Sequence, residues 1–173
     1  KINSQIEETN NRIKAASHIF ITYGTAWIYR HKPTDLLVAN CHKIAASSFE
    51  KSLLSVKQIV ESISRTYQII KKLNPKSVVV FSISPVRHLK DGFVENQRSK
   101  AHLITALHSF LENQKSHNLF YFPAYELLMD ELRDYRFYDS DMVHPNQLAI
   151  EIIWERFKDC FFDAETLMIL QKV

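Results

Sequence analysis

Asp141 and His144 are the residues whose types and spacing speak most directly of chemistry. Three positions apart on a turn, a carboxylate and an imidazole can meet. The carboxylate then accepts from one ring nitrogen and fixes the tautomer, and the other nitrogen is left to take a proton from a nucleophile. The same run, Asp141-Met142-Val143-His144-Pro145, could instead cap a helix opening at Pro145. Spacing alone does not separate the two uses.

Other polar residues gather at loops. Ser84 follows an apolar run and precedes Pro85, which reads most simply as a serine beginning a turn. Arg87 offers a planar fork for a carboxylate or other anion, and His88 follows it. His42, His88, Asp141 and His144 are residue types that suit zinc. No two histidines have a recognised ligand spacing, so neither a metal nor a cofactor is expected. Trp27, Tyr29 and Tyr125 could stack on a sugar ring or pack in a core.

These residues need elements to position them. The spacing of Ile2, Ile6, Ile13 and Ala16 predicts an opening helix. Residues 18–23, aromatic and β-branched, read as a strand that stops at Gly24, and residues 25–46 as irregular. A long helix is expected from a capping box of Ser47 and Glu50, with Phe49, Leu53, Val56, Val60, Ile63, Tyr67 and Ile70 on one face, until Asn74-Pro75 ends it. Strands follow at 77–83 and 118–122. Between them lies a helix with Ala101, Ile104, Leu107, His108 and Leu111 on its apolar side. A short helix is expected around Tyr125, Leu128 and Met129, and a last one from Pro145 with Ile152, Ile153, Phe157 and Cys160 inward. Alternating strands and helices imply a three-layer α/β/α fold around a parallel sheet, in one domain over residues 1–173. With two glycines in the chain, Gly24 and Gly92 mark places where the backbone is expected to need what glycine alone provides.

Composition narrows the function. Hydrophobic residues make up 46% of the 173, enough for a core. The 22 basic and 19 acidic residues leave a net charge of +3, too balanced to argue for nucleic acid or an anionic membrane as partner. Cys41 and Cys160 are read as ordinary thiols. No apolar run approaches the roughly 20 residues of a membrane helix. A cytoplasmic setting is favoured, although the chain starts at Lys1 rather than Met and an upstream leader would not be visible.

Six blocks, in order, resemble successive blocks of the GSCFA family: residues 21–27, 38–43, 82–88, 95–101, 121–126 and 141–145. That family is similar in fold to the SGNH hydrolases, flavodoxin-like enzymes with a nucleophilic serine, an Asp-x-x-His pair, and glycine and asparagine oxyanion donors. The resemblance implies His144 as general base, Asp141 as its orienting partner and Gly24 as an oxyanion donor. Ala26 stands where the asparagine is expected, and Asn40 is the candidate substitute. His42, Ser84, Arg87 and His88 fall in matching blocks and are expected at the substrate. The Gly-Ser-Cys-Phe-Ala motif occurs nowhere in the chain. The expectation is therefore a fold incomplete at its start, nearly inactive by itself, with an apolar sheet edge open to self-association into a homo-oligomer. The function implied is hydrolysis of acyl esters, carbohydrate esters among them. The alternatives are a non-catalytic member that binds a ligand or partner, and a metal-dependent hydrolase.

Overall fold

The computed structural model of the chain describes residues 2–38, 44–170 and 172. Its centre is a parallel sheet of β1 (His18–Tyr23), β5 (Val78–Ile83) and β6 (Leu119–Phe122), in the order β1-β5-β6. His18 stands opposite Val78 and Tyr23 opposite Ile83, while Val79 faces Leu119 across the other edge. All three strands lie within one residue of the expected bounds.

The two-residue period of a strand sorts its side chains between two helical layers. Ile19, Ile21, Tyr23, Val79, Phe81, Ile83, Leu119 and Tyr121 face a core built with α2 (Val56–Leu73) and α3 (Phe93–Glu112). The alternate residues Phe20, Phe120 and Phe122 meet Phe157 and Phe161 of α5 (Gln147–Phe161), with ring centroids 5.1 to 6.3 Å apart. Helices on both faces of a parallel sheet give the three-layer α/β/α fold.

The region read as irregular holds two strands, β2 (Trp27–His31) and β3 (Leu36–Val38), which with β4 (Phe49–Leu53) form a small antiparallel sheet in the order β3-β2-β4. A turn joins the first two, with Asp35 at a left-handed φ of 56° and the His31 carbonyl accepting from Thr34 and Asp35. Phe49 and Leu53 also misled the helical reading, because a spacing of four fits a helix stripe and alternate strand positions equally. Pairing with β2 decides for the strand, and Phe49 is buried while Glu50 is exposed. The helix starts only at Val56. Its capping box is Ser55 and Gln58 rather than Ser47 and Glu50: Ser55 Oγ accepts from the Gln58 N–H at 3.3 Å, and Gln58 Oε1 accepts from the Ser55 N–H at 2.9 Å.

Three smaller corrections concern α3, α5 and Gly24. The buried stripe of α3 is Asn96, Ser99, Lys100, Leu103, Ala106, Leu107 and Phe110, so Ala101 is exposed, and His108 lies at the margin with its ring centre 4.9 Å from that of Tyr121. Asn146 caps α5, accepting from the Ala149 N–H at 3.1 Å, which puts Pro145 before the cap instead of inside the first turn. Gly92 does sit at a left-handed φ of 83°, at the start of α3. Gly24 does not need that freedom, and a Cβ there would make an ordinary 3.6 Å contact with His88 Nε2.

The opening helix α1 (Ile2–Ala15) ends against α2. Asn74, just past the end of α2, donates through Nδ2 to the carbonyls of Ile13 and Ala16 at 2.9 and 2.8 Å. One side chain thus satisfies acceptors that a helix end leaves open. Replacing Ser55 by alanine should cost about 1 kcal/mol in denaturant unfolding, whereas Ser47→Ala on the exposed stretch before β4 should stay within about 0.5 kcal/mol.

Candidate active site

The carboxyl ends of β1, β5 and β6 form one rim, the usual place for a site in an open parallel sheet. The loop from Asp139 to His144 reaches it. Its base is closed by a bridge between Tyr138 and Pro145 and by the Asp139 N–H donating to the His144 carbonyl at 2.8 Å. Inside it, Asp141 divides its two oxygens. Oδ1 accepts from the backbone N–H of Val143 at 2.8 Å and of His144 at 3.0 Å, which fixes the turn. Oδ2 lies 2.6 Å from His144 Nδ1. The helix-cap alternative therefore gives way to a turn that is itself the support of the pair, since Asn146 does the capping.

These contacts hold the Asp141 carboxyl at about 2, below its ordinary value of 3.8. The His144 backbone N–H contributes most, then the imidazole, then the Val143 N–H. An ionised carboxylate can only accept, so Nδ1 must carry the hydrogen. In the neutral ring Nε2 is then the bare, basic nitrogen. Both side chains are about half exposed and open to solvent.

Arg87, expected at the substrate, braces this loop from the end of β5. Its Nη1 donates to the Met142 carbonyl at 3.2 Å and its Nη2 to the Tyr138 hydroxyl at 3.1 Å. Its guanidinium carbon lies 4.6 Å from the Tyr138 ring centre. Met142 needs such a brace. Its φ of 58° is left-handed, which costs a side-chain-bearing residue roughly 1 kcal/mol.

Gly24, Ser84 and His88 meet on the other side of the rim. The Ser84 N–H continues the sheet by donating to the Tyr23 carbonyl at 2.9 Å. Ser84 Oγ accepts from the Val86 N–H at 3.3 Å, which is the turn role read from Pro85. The polar stripe of α3 supports all three loops. Asn96 Oδ1 accepts from the His88 N–H at 2.9 Å, Ser99 Oγ accepts from the Ala26 N–H at 2.7 Å, and Lys100 Nζ donates to the Gly24 and Ser84 carbonyls at 2.7 and 2.6 Å. Ala26 is buried in the core, as an alanine at an asparagine's place allows. Asn40 and His42 lie outside the described residues. Asn96, Ser99 and Lys100 fall in one of the blocks that resemble the family, but sequence reasoning gave them no role. The signal was their i, i+3, i+4 continuity with Leu103, Leu107 and Phe110.

Of the three rings considered for sugar stacking, Tyr125 is buried and donates to Gln97 Oε1 at 3.2 Å. Lys51 Nζ lies 4.5 Å from the Trp27 ring centre and 5.9 Å from that of Tyr29. Between the loops and α5 a cleft of about 330 Å³ opens, lined by Pro85, Phe122, Ala124, Pro145, Trp154 and Phe157 among others. Among the described residues, no group of three or more His, Cys, Asp or Glu side chains is placed to hold a metal ion.

Fold and site together define an α/β domain with a carboxylate–imidazole pair on the carboxyl rim of its sheet. The chain belongs to the GSCFA family, whose family model matches residues 1–157, from α1 into α5. No curated protein matches the chain.

Because the carboxyl of Asp141 titrates lower in the folded chain than in the unfolded one, it contributes stability above pH 3.8 that is lost as the pH falls through about 2. In Asp141→Asn, acid unfolding followed by circular dichroism should lose that part of its pH dependence. An acid limb identical to wild type would mean that the turn does not hold the carboxylate in solution.

Proposed function

We propose that this domain supplies the acid–base pair and the oxyanion side of an SGNH-type acyl-ester hydrolase. The observation that carries the reading is the 2.6 Å bond between Asp141 Oδ2 and His144 Nδ1 on the strand-end rim. It leaves His144 Nε2 to take a proton from an attacking oxygen, while Asp141 orients the ring and stabilises the imidazolium. The proton then passes to the departing alcohol, and the carbonyl oxygen becomes an anion for which Gly24 offers a backbone N–H. The apolar cleft beside Pro85 and Pro145, neighbours of Ser84 and His144, suits the acyl portion of the substrate. Membership of the GSCFA family agrees with this reading.

The test is turnover of a simple acetyl ester by a longer, active form of the protein that carries the nucleophilic serine. Replacing His144 by alanine should lower kcat/KM by about 10²- to 10⁴-fold, the usual worth of a positioned proton carrier. Asp141→Asn should cost as much or less, and both variants should keep the wild-type circular dichroism. Turnover unchanged in both would remove the pair from the chemistry.

A further inference from the structure

Lys100 is the one charged side chain among the buried described residues, at 1% exposure. Burial pushes its pKa down to about 8. Placing an ammonium there disfavours the fold unless the charge is well used. It has two strong acceptors, the Gly24 carbonyl at 2.7 Å and the Ser84 carbonyl at 2.6 Å, and the Tyr125 ring centre lies 5.8 Å away.

The position of those carbonyls matters more than their number. The last rung between β1 and β5 is the Ser84 N–H donating to the Tyr23 carbonyl. In a parallel ladder the next rung runs back from the Thr25 N–H to the Ser84 carbonyl. That rung is not made among the described residues, and the Ser84 carbonyl turns to Lys100 instead. Among the described residues no peptide bond is cis, so the N–H and C=O of each of these peptide units point opposite ways. The Tyr23 carbonyl aims at β5, which sends the Gly24 N–H toward the other edge of β1. The Gly24 carbonyl aims at Lys100, which sends the Thr25 N–H away from α3. Neither N–H makes a hydrogen bond among the described residues.

We infer that Lys100 is a positioning residue: its ammonium ends the β1–β5 ladder by occupying both terminal carbonyls, and so keeps the Gly24 and Thr25 N–H groups available as donors to an anion at the rim. The assignment of that anion as the oxyanion of an ester rests on the function proposed above; the clamp itself does not. Lysine suits the task because three donors on one nitrogen can serve two carbonyls that converge from different strands. An apolar residue of similar length would leave both carbonyls without a donor, and the Thr25 rung would then close.

Amide hydrogen exchange on the full chain, read by NMR, tests the clamp without any ester. In the wild type the Gly24 and Thr25 amides should exchange within about tenfold of unprotected rates while the Ser84 amide is protected. In Lys100→Met the Thr25 amide should slow by about tenfold or more as it pairs with Ser84. A wild-type Thr25 amide as protected as that of Ser84 overturns the inference, as does an unchanged rate in the variant. Should Lys100→Met fail to fold, the wild-type comparison decides alone. In an ester assay, loss of an oriented donor should appear as a fall in kcat of about tenfold or more with little change in KM, partly restored by Lys100→Arg. Absence of turnover in a longer form that carries the nucleophilic serine would refute the ester reading, and the exchange rates would still decide the clamp.

Discussion

β5 carries the constraint on which the rest of the molecule depends. It is hydrogen-bonded along both edges and covered on both faces, and Val79, Val80, Phe81 and Ile83 are all nearly inaccessible. A strand so placed has no side chain to spare for chemistry. Any chemistry that β5 contributes is confined to where the strand stops, at Ser84 and beyond. Neighbouring strands then have little choice of register, because a slip of one residue would turn Phe20 or Phe120 into the α2–α3 core and Ile19 or Leu119 out of it.

The rim is assembled by two kinds of fastening. On one side the backbone of the strand ends is held by side chains of α3, which is rigid because Leu103, Leu107 and Phe110 are locked in the core. On the other side the Asp141–His144 turn is held by its own carboxylate and by Arg87. The second arrangement uses one carboxylate for two purposes, with Oδ1 on the backbone and Oδ2 on the imidazole. The residue that shapes the turn is thereby the residue that sets the tautomer.

The parallel strands and the Asp-x-x-His pair were legible in the sequence for the same reason: each signal is local. Val78 to Ile83 is apolar on both faces, and a pair three residues apart on a turn needs no distant partner. The small sheet was hidden because its strands are short and half-buried, and the spacing of Phe49 and Leu53 fits both periods. On α3 the apolar reading held at Ile104, Leu107 and Leu111, but the buried start of the stripe, Asn96, Ser99 and Lys100, is polar and so gave no hydrophobic signal. Arg87 was read as an anion binder, while its partners Tyr138 and Met142 lie more than fifty residues away and were invisible to any window. The helix expected from Pro145 would place Asn146 inside its first turn, whereas Asn146 is the cap of α5.

The aromatic contact of Phe20 with Phe157 joins nearly opposite ends of the chain. Closing so long a loop is entropically costly, and contacts of this kind form slowly. α5 also has a thin hold once formed, for Ala149 is its one fully buried residue among those described. Local opening favours elements with few buried contacts. The turn bearing Asp141 and His144 leads directly into α5, so local opening of that helix would release the pair while the α2–α3 core stays packed. Heating should therefore loosen the pair before the sheet is lost, two events that the His144 ring resonances and circular dichroism would separate.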